Sequence, residues 1–353
     1  MAPTRAPRRN RLVHGSIAGL LLLATSACIG PVRYLKPISG FKDVDCAPRR
    51  NALPVDITYL GAGGFLFRRG DQAIMTAPFY SNPNLLQVGL GFPISSNEAR
   101  VEALLPPVDD VTAILVGHAH YDHLMDVPYV ARHRAPKAIV YGSTTMTHIL
   151  APVLPKSRLH SVNSGAGTWR RPGEWLPSPT SRIRFMALHS EHAPHFMGIK
   201  LFKGKIAEDL QHLPRTAYGW KEGQTFAYVI DFLGDDGKVD LRIHYQDAAT
   251  NPPYGFHPQL DAKGVDVAIL CVASFAEVKD YPEAIVRDMR PRHIVLAHWE
   301  DFFRAPNRPL AAVPPTNTKE FVIRLESALP ESSDWTTPVP GTTLRFEVCD
   351  SGT

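Results

Sequence analysis

The residues with the clearest chemical potential lie in the segment GHAHYDHLMD, which spans positions 117 to 126. It places three histidines and one aspartate within six consecutive positions: His118, His120, Asp122 and His123. Imidazole nitrogens and carboxylate oxygens are common ligands of divalent metal ions. Because a solvated loop or a histidine-rich helix start could show the same pattern, a metal site requires partners elsewhere in the chain.

The hydrophobic pattern around this segment explains how the four side chains could converge. The apolar run DVTAILVG has strand length and leads into His118, whereas DHLMDVPYVARHR has helical spacing and begins at Asp122, a candidate N-cap. Side chains two positions apart at a strand end point the same way, so His118 and His120 can face one point. Asp122 and His123 can face a neighbouring point. Each point still lacks a ligand, because a catalytic site takes three protein ligands and keeps one position open.

Further candidate ligands follow other predicted strands. Asp247 comes after the strand that ends in LRIHYQ, and His298 comes after HIVLA. The strand SRIRFMAL runs into HSEHAPH, which offers His189 and His192 as ligands and His195 as a residue behind the ligands or facing the substrate. An aspartate and two histidines at strand ends are what the two incomplete sites need.

The order of predicted elements favours one mixed α/β domain. Paired strands come first, in VDITYLGAGGFLFRRGDQAIMT, and strands then alternate with helices. A second hairpin is predicted in TFAYVIDFLGDDGKVDLRIHYQD, after a polar insertion over residues 200–224 that could form a lid. We therefore predict an irregular lead-in over residues 28–54 and a single α/β sandwich domain over residues 55–353.

The first 27 residues are typical of an export signal. A basic stretch is followed by the short apolar run IAGLLLLATSA, which ends in small residues and is too short to span a bilayer comfortably. Cys28 then occupies the position of a lipidated cysteine, although Thr25 stands where a lipobox usually has leucine. Lipidation predicts an exported lipoprotein tethered to a membrane. Ordinary cleavage after Ala27 predicts a periplasmic or secreted protein instead.

The charge of the exported chain gives no indication of a nucleic-acid partner. The full chain has 38 basic and 34 acidic residues, but four of the arginines lie within the first 28 residues, which leaves 34 of each. That balance lacks the basic footprint of a nucleic-acid binder. In an oxidising compartment Cys46 and Cys349 could pair, whereas Cys271, in an apolar run, is expected to be buried as a free thiol.

The mature chain resembles the metallo-β-lactamase superfamily. HAHYDH matches its H-x-H-x-D-H motif in full, and DITYLGAGGFLF…AIMTAPFY is similar to the opening hairpin of its phosphodiesterase-like branch. The resemblance implies a four-layer αββα sandwich with a dinuclear metal centre at one edge of the paired sheets. The sequence departs from the family at Ala77, where an aspartate usually supports the site.

The resemblance implies three protein ligands for each metal ion and one carboxylate that bridges them. The first ion is expected to be held by three histidines: His118, His120 and either His192, which fits the family pattern better, or His189. The second is expected to be held by one aspartate and two histidines: Asp122, His123 and His298. The bridging carboxylate is Asp247. Ligands of this kind, without cysteine, favour two Zn²⁺ ions and leave Fe and Mn open.

The implied activity is hydrolysis by a hydroxide held between two metal ions. Asp122 and Asp247 are the expected catalytic carboxylates, since they keep the ligand set partly anionic and orient the hydroxide. The opening hairpin favours a phosphodiester or phospholipid-like ester as substrate. Lys200, Lys203 and Lys205 would favour phosphate if they formed a basic lid, but a solvated loop in which Glu208 and Asp209 compensate their charge is the preferred interpretation. A β-lactam or lactone is the alternative small-molecule substrate. The alternative outside enzymes is a metal-binding scaffold that retains the fold.

Overall fold

The computed structural model describes most of the predicted domain, over residues 32–39, 41–42, 49–50, 52–179 and 182–349. The predicted export signal and Cys28 lie outside these ranges, so both stay predictions. Cys349 is disulfide-bonded. Its predicted partner, Cys46, lies outside the described residues. Cys271 is a buried free thiol, as predicted. Among the described residues, no helix has the length and apolar character needed to cross a membrane.

Two β sheets, with fifteen strands between them in the described ranges, form the centre of the fold. The first sheet has eight strands: β1 (Phe41–Lys42), β2 (Val55–Gly61), β3 (Gly64–Arg69), β4 (Gln72–Thr76), β5 (Val111–Leu115), β6 (Ile139–Gly142), β7 (Leu159–Ser161) and β15 (Thr343–Phe346). The second has seven: β8 (Leu176–Pro177), β9 (Ile183–Ser190), β10 (Thr225–Leu233), β11 (Val239–Gln246), β12 (Val267–Cys271), β13 (His293–Ala297) and β14 (Asp334–Thr336).

Each sheet joins an antiparallel part to a parallel part. In the first sheet, β2, β3 and β4 pair antiparallel, and β4 to β7 pair in parallel. In the second sheet, β8 to β11 pair antiparallel, which includes the predicted β10–β11 hairpin, and β11 to β14 pair in parallel. Consequently β9, β11 and β13 run in one direction and end at the same edge of the sheet.

The helices are short, and along the chain they alternate with strands. The α-helices are α1 (Leu85–Leu90), α2 (Glu98–Leu104), α3 (Tyr121–Leu124), α4 (Val127–Tyr129), α5 (Thr144–Leu150), α6 (Glu283–Met289) and α7 (Thr318–Ala328). A π-helical turn, Val130–Arg134, extends α4, and four 3₁₀ turns occupy Val32–Tyr34, Lys156–Arg158, Ala217–Gly219 and Phe275–Glu277. The sequence pattern does not predict helix α1, although a capping box of Asn84 and Gln87 begins it and Gly91, at φ 71°, ends it.

The alternation of side chains along the strands creates three layers of apolar contact. Phe65 and Phe67 on one face of β3 share a cluster with Phe226 and Tyr228 of β10, so the two sheets pack face to face. Leu66, on the opposite face of β3, packs with residues of α1, α2 and α5. Helices α6 and α7 belong to the same cluster as the facing sheets, and this cluster includes residues on both faces of β12. This arrangement confirms the predicted four-layer αββα sandwich.

Candidate metal centre

The ends of four strands bring all the predicted ligands to one edge of the sandwich. His118 and His120 follow β5, and Asp122 and His123 lie in α3. The other three follow strands of the second sheet: His192 after β9, Asp247 after β11 and His298 after β13. All of these side chains except the partly exposed His192 are buried. The prediction of Asp122 as the N-cap of α3 is wrong, because the helix begins at Tyr121 and His120 precedes it without a side-chain cap.

Three histidines form the first half of the site. The ring centroid of His118 lies 4.6 Å from those of His120 and His192, which are 4.9 Å from each other. Their ligand atoms all lie within 4.8 Å of one another. His192 donates its Nδ1 proton to the carbonyl of Ala193 at 2.6 Å, which leaves its Nε2 lone pair available. The buried Nε2 atoms of His118 and His120 have no hydrogen-bond partner in the described part of the chain, which fits a divalent metal ion.

The second half of the site joins α3 to the end of β13. His123 Nε2 lies 3.1 Å from His298 Nε2, and Asp122 Oδ2 lies 3.4 Å from His298 Nε2 and 3.7 Å from His123 Nε2. Ligands about 2.1 Å from a tetrahedral ion are about 3.4 Å apart. The three atoms therefore have a separation suited to one divalent ion.

His189 lies apart from these two groups. It is on β9, its ring lies 5.8 Å from the ring of Phe226, and its backbone bonds to Gly167 and Gly255. Among the described residues, the groups of side chains that are close enough together to hold one metal ion do not include His189. This placement favours His192 as the third histidine of the first ion, although its role as a ligand stays a prediction.

The choice between these two histidines can be tested by substitution. We expect His192→Ala to lose about half of the bound metal, or to bind it at least about tenfold more weakly, because one of three ligands is removed. His189→Ala should keep the metal content of the unmodified chain. Metal per chain after dialysis measures both. Loss of metal from His189→Ala alone would reverse the assignment.

Asp247 lies between the two halves of the site. Its Oδ2 is 2.5 Å from Nδ1 of His118, and its Oδ1 is 3.1 Å from Nδ1 of His123 and 2.5 Å from the Tyr245 hydroxyl. A carboxylate in contact with the Nδ1 side of a histidine orients the ring and increases its basicity as a ligand. Its role as a bridging ligand stays a prediction, since both oxygens here contact protein groups.

The electrostatics of the cluster make a proton on His123 a competitor of any bound metal ion. Burial and the neighbouring His123 lower the pKa of His118 to about 3, so its ring is neutral. Burial alone would also lower the pKa of His123, but Asp247 and Asp122 raise it to about 9. Although burial opposes its charge, Asp247 has a pKa well below its usual range because of His123 and His118. A metal ion held by His123 would have to displace this proton, so we expect metal affinity to fall as the pH falls.

Two glycines that sequence analysis did not single out give the ligands room. A Cβ atom at Gly117 would lie 2.1 Å from the carboxylate of Asp247, and one at Gly63 would lie 2.8 Å from the His123 ring and the Tyr245 hydroxyl. Both sites therefore require glycine for close approach. The signals were present: Gly117 begins the histidine segment, and Gly63 belongs to the glycine run that interrupts the first hairpin.

The first hairpin supports the site even though Ala77 lacks a carboxylate. The hydroxyl of Thr76 donates to the Gly63 carbonyl and accepts from the Phe65 amide, both at 2.7 Å, and the Tyr245 hydroxyl also lies 2.7 Å from the Gly63 carbonyl. The turn that faces His123 is thereby fixed by hydroxyl groups.

A buried pair, Tyr59 and Glu300, connects the same hairpin to His298. Glu300 accepts a hydrogen bond from the Tyr59 hydroxyl and another, at 2.5 Å, from the amide of Ala62. The Tyr59 hydroxyl in turn accepts from the amide of His298 at 3.0 Å. His298 has a left-handed backbone, at φ 53°, which is uncommon outside glycine. These contacts hold the ligand in a conformation that it would rarely adopt alone.

The histidine–aspartate cluster opens into an apolar cavity of about 150 Å³. Its lining includes Asp122, His192, His195 and His298 on one side and mainly aromatic and aliphatic residues elsewhere. His195 Nδ1 accepts the Leu201 amide at 3.1 Å, and its ring stacks on His192 at 4.7 Å. Because burial lowers its pKa, His195 is neutral and carries its proton on Nε2. It can therefore donate a hydrogen bond to a substrate oxygen.

Comparison with known proteins gives similarity to solved structures alone. No protein-family model and no curated protein matches this sequence. A metallo hydrolase, Igni18, from Ignicoccus hospitalis is 17% identical over 83% of this chain and 99% of its own, with a TM-score of 0.49. The metallo-β-lactamase fold protein YhfI from Bacillus subtilis is 12% identical over 82% and 99%, with a TM-score of 0.45. Yeast PDE1 is 9% identical over 83% and 99%, also with a TM-score of 0.45. Similarity at this level carries no inference about substrate.

Proposed function

We propose that this chain is a metal-dependent hydrolase that cleaves an ester with an apolar substituent, and that a phospholipid-like ester is its substrate. The observation that carries the proposal is the position of the histidine–aspartate cluster at the base of an apolar cavity. Tyr121, Phe202, Phe302 and Phe303 form aromatic walls beside the ligands. Such walls bind an apolar chain and exclude water from the reacting bond.

The two groups of ligands would each hold one divalent ion, for which Zn²⁺ suits the histidine and carboxylate donors. When bound, such ions polarise the scissile bond and supply hydroxide near neutral pH. Asp122 and Asp247 keep the site anionic, and Asp247 holds the rings of His118 and His123 in place. His195, through Nε2, is placed to donate to the oxygen on which negative charge develops.

The basic segment adds little positive charge to the cavity. Lys200 is paired with the buried Glu222 at 2.8 Å, and Lys203 and Lys205 are exposed. No lysine or arginine lines the cavity within the described residues.

This apolar lining supports a second candidate substrate, an uncharged acyl lactone. An exported lipoprotein anchored through Cys28 would suit the phospholipid-like ester, because enzyme and substrate would share a membrane.

A substrate comparison tests the proposal. The zinc-loaded chain should hydrolyse a short-chain phospholipid at least about a hundredfold faster than a chromogenic cephalosporin or a water-soluble chromogenic phosphodiester, because the apolar walls bind the acyl chain. An acyl lactone is assayed beside them. If the acyl lactone is cleaved faster than the phospholipid, the lactone replaces the phospholipid-like ester as the proposed substrate. Bound metal without hydrolysis of any of the four would support the scaffold alternative.

A further inference from the structure

Five large apolar side chains are exposed around the mouth of this cavity. We call them the apolar rim: Leu86 (52% exposed), Leu90 (50%), Phe92 (52%), Met197 (67%) and Ile199 (55%). In the sequence, each of the five lies next to a residue that lines the cavity or within four positions of one. An apolar surface that is concentrated at one opening usually marks an interaction site.

Helix α1 is apolar on both sides, which is unusual for a surface helix. Leu85, Val88 and Gly89 line the cavity, while Leu86 and Leu90, one turn apart, face solvent. Residues 82–97 contain no charged side chain, so the solvent side lacks the charged groups that a surface helix normally carries. The Tyr218 hydroxyl donates to the Gly89 carbonyl at 2.8 Å and secures the helix beside the cavity.

The second part of the rim is a fixed turn. The amides of Met197 and Gly198 donate to the carboxylate of Glu277 at 2.9 and 2.7 Å, and Ile199 donates to the Phe196 carbonyl at 2.8 Å. Met197 also has a left-handed backbone, at φ 47°. These bonds keep the Met197 and Ile199 side chains exposed to solvent, although apolar side chains are normally more stable when they are buried. Both sides of the cavity mouth thus present apolar groups on ordered backbone.

We propose that the apolar rim docks on the surface of a lipid bilayer, so that a lipid substrate enters the cavity directly from the membrane. Part of this inference rests on the proposed function, because a lipid-like substrate has to reach the cavity through this mouth. A protein seated on the rim would close that entrance, whereas a bilayer would supply it. The exposed Lys203 and Lys205 follow the cavity residues Leu201 and Phe202 and can bind anionic headgroups.

Hydrogen–deuterium exchange of the full chain tests the docking without requiring turnover. The probe is a vesicle of ether-linked phosphatidylethanolamine and phosphatidylglycerol, which has no acyl ester to hydrolyse, and metal-free protein is used so that the phosphodiester bonds also stay intact. We expect slower exchange over residues 84–93 and 196–200 when vesicles are present. Unchanged exchange there, in protein that sediments with the vesicles, would overturn the proposal. Protection that depends on protein concentration and appears without vesicles would also overturn it, by indicating self-association.

A matched pair of variants separates the rim from any lipid anchor. The rim variant carries Leu86→Ser, Leu90→Ser and Phe92→Ser; the control carries Leu104→Ser, Leu310→Ser and Ile323→Ser, which are equally exposed elsewhere. With Cys28→Ser in both, the rim variant should partition to vesicles about tenfold more weakly than the control. Equal partition would contradict docking through the rim. Hydrolysis of a monomeric short-chain substrate, measured on both, reports the proposed function independently.

Discussion

Replacing His118 by alanine is expected to remove bound metal and hydrolysis together. The His118 ring belongs to the first ligand group, has a nitrogen within 4.8 Å of ligand atoms of Asp122 and His123, and contacts Asp247 at 2.5 Å. Its loss therefore opens the first half of the site and frees the carboxylate that orients His123. We expect kcat/KM to fall by roughly a thousandfold or more, as for removal of a catalytic metal ion. Asp122→Ala should have a similar effect through the second half.

Metal per chain, by elemental analysis, and kcat/KM on the same preparation measure the effect. His148→Ala is the matched control, because His148 is a partly exposed histidine paired with Asp209 at 2.7 Å, outside the metal centre. It should retain both metal and activity. If a metal-free His118→Ala preparation kept full activity, the proposed chemistry would be wrong.

A single methyl group at Gly117 should be almost as damaging. The added carbon would lie 2.1 Å from the carboxylate of Asp247, closer than any non-bonded contact allows. Either Asp247 moves away from His118 and His123 or the backbone at the histidine segment shifts. We expect Gly117→Ala to lower kcat/KM by about a hundredfold or more, and to destabilise the fold by about 1–3 kcal/mol through overpacking.

Thermal unfolding and metal content distinguish this local effect from general misfolding. Gly264→Ala is the control, because its added carbon would meet no atom within 4 Å. Gly63→Ala, with contacts of 2.8 Å to His123 and Tyr245, should reproduce the loss of activity from the other side of the site. Normal activity in a folded Gly117→Ala chain would contradict the close packing around Asp247.

The positions of the candidate ligands can be predicted from the sequence because the signals are local. Strand alternation and strand ends are visible in short windows, and these place His118, His120, Asp247 and His298 at strand ends. The requirement for glycine at position 117 cannot be predicted in this way, because it depends on contact with Asp247, which lies 130 positions later. Helix α1 escapes prediction because its apolar run is short and lies among glycine, proline and serine. The N-cap prediction for Asp122 fails because its carboxylate instead faces His123 and His298.

The hydrogen bond between Tyr59 and the amide of His298 has a consequence for the order of assembly. It closes a loop of 239 residues between the first long strand and the last parallel strands of the other sheet. Until that loop closes, His298 lacks the hydrogen bonds from its amide to Tyr59 and Ala62, and the second group of ligands is not assembled. A chain in which the two ends of the domain have not yet met therefore lacks the complete pair of sites. Full metal loading would then report that both ends of the domain have folded together.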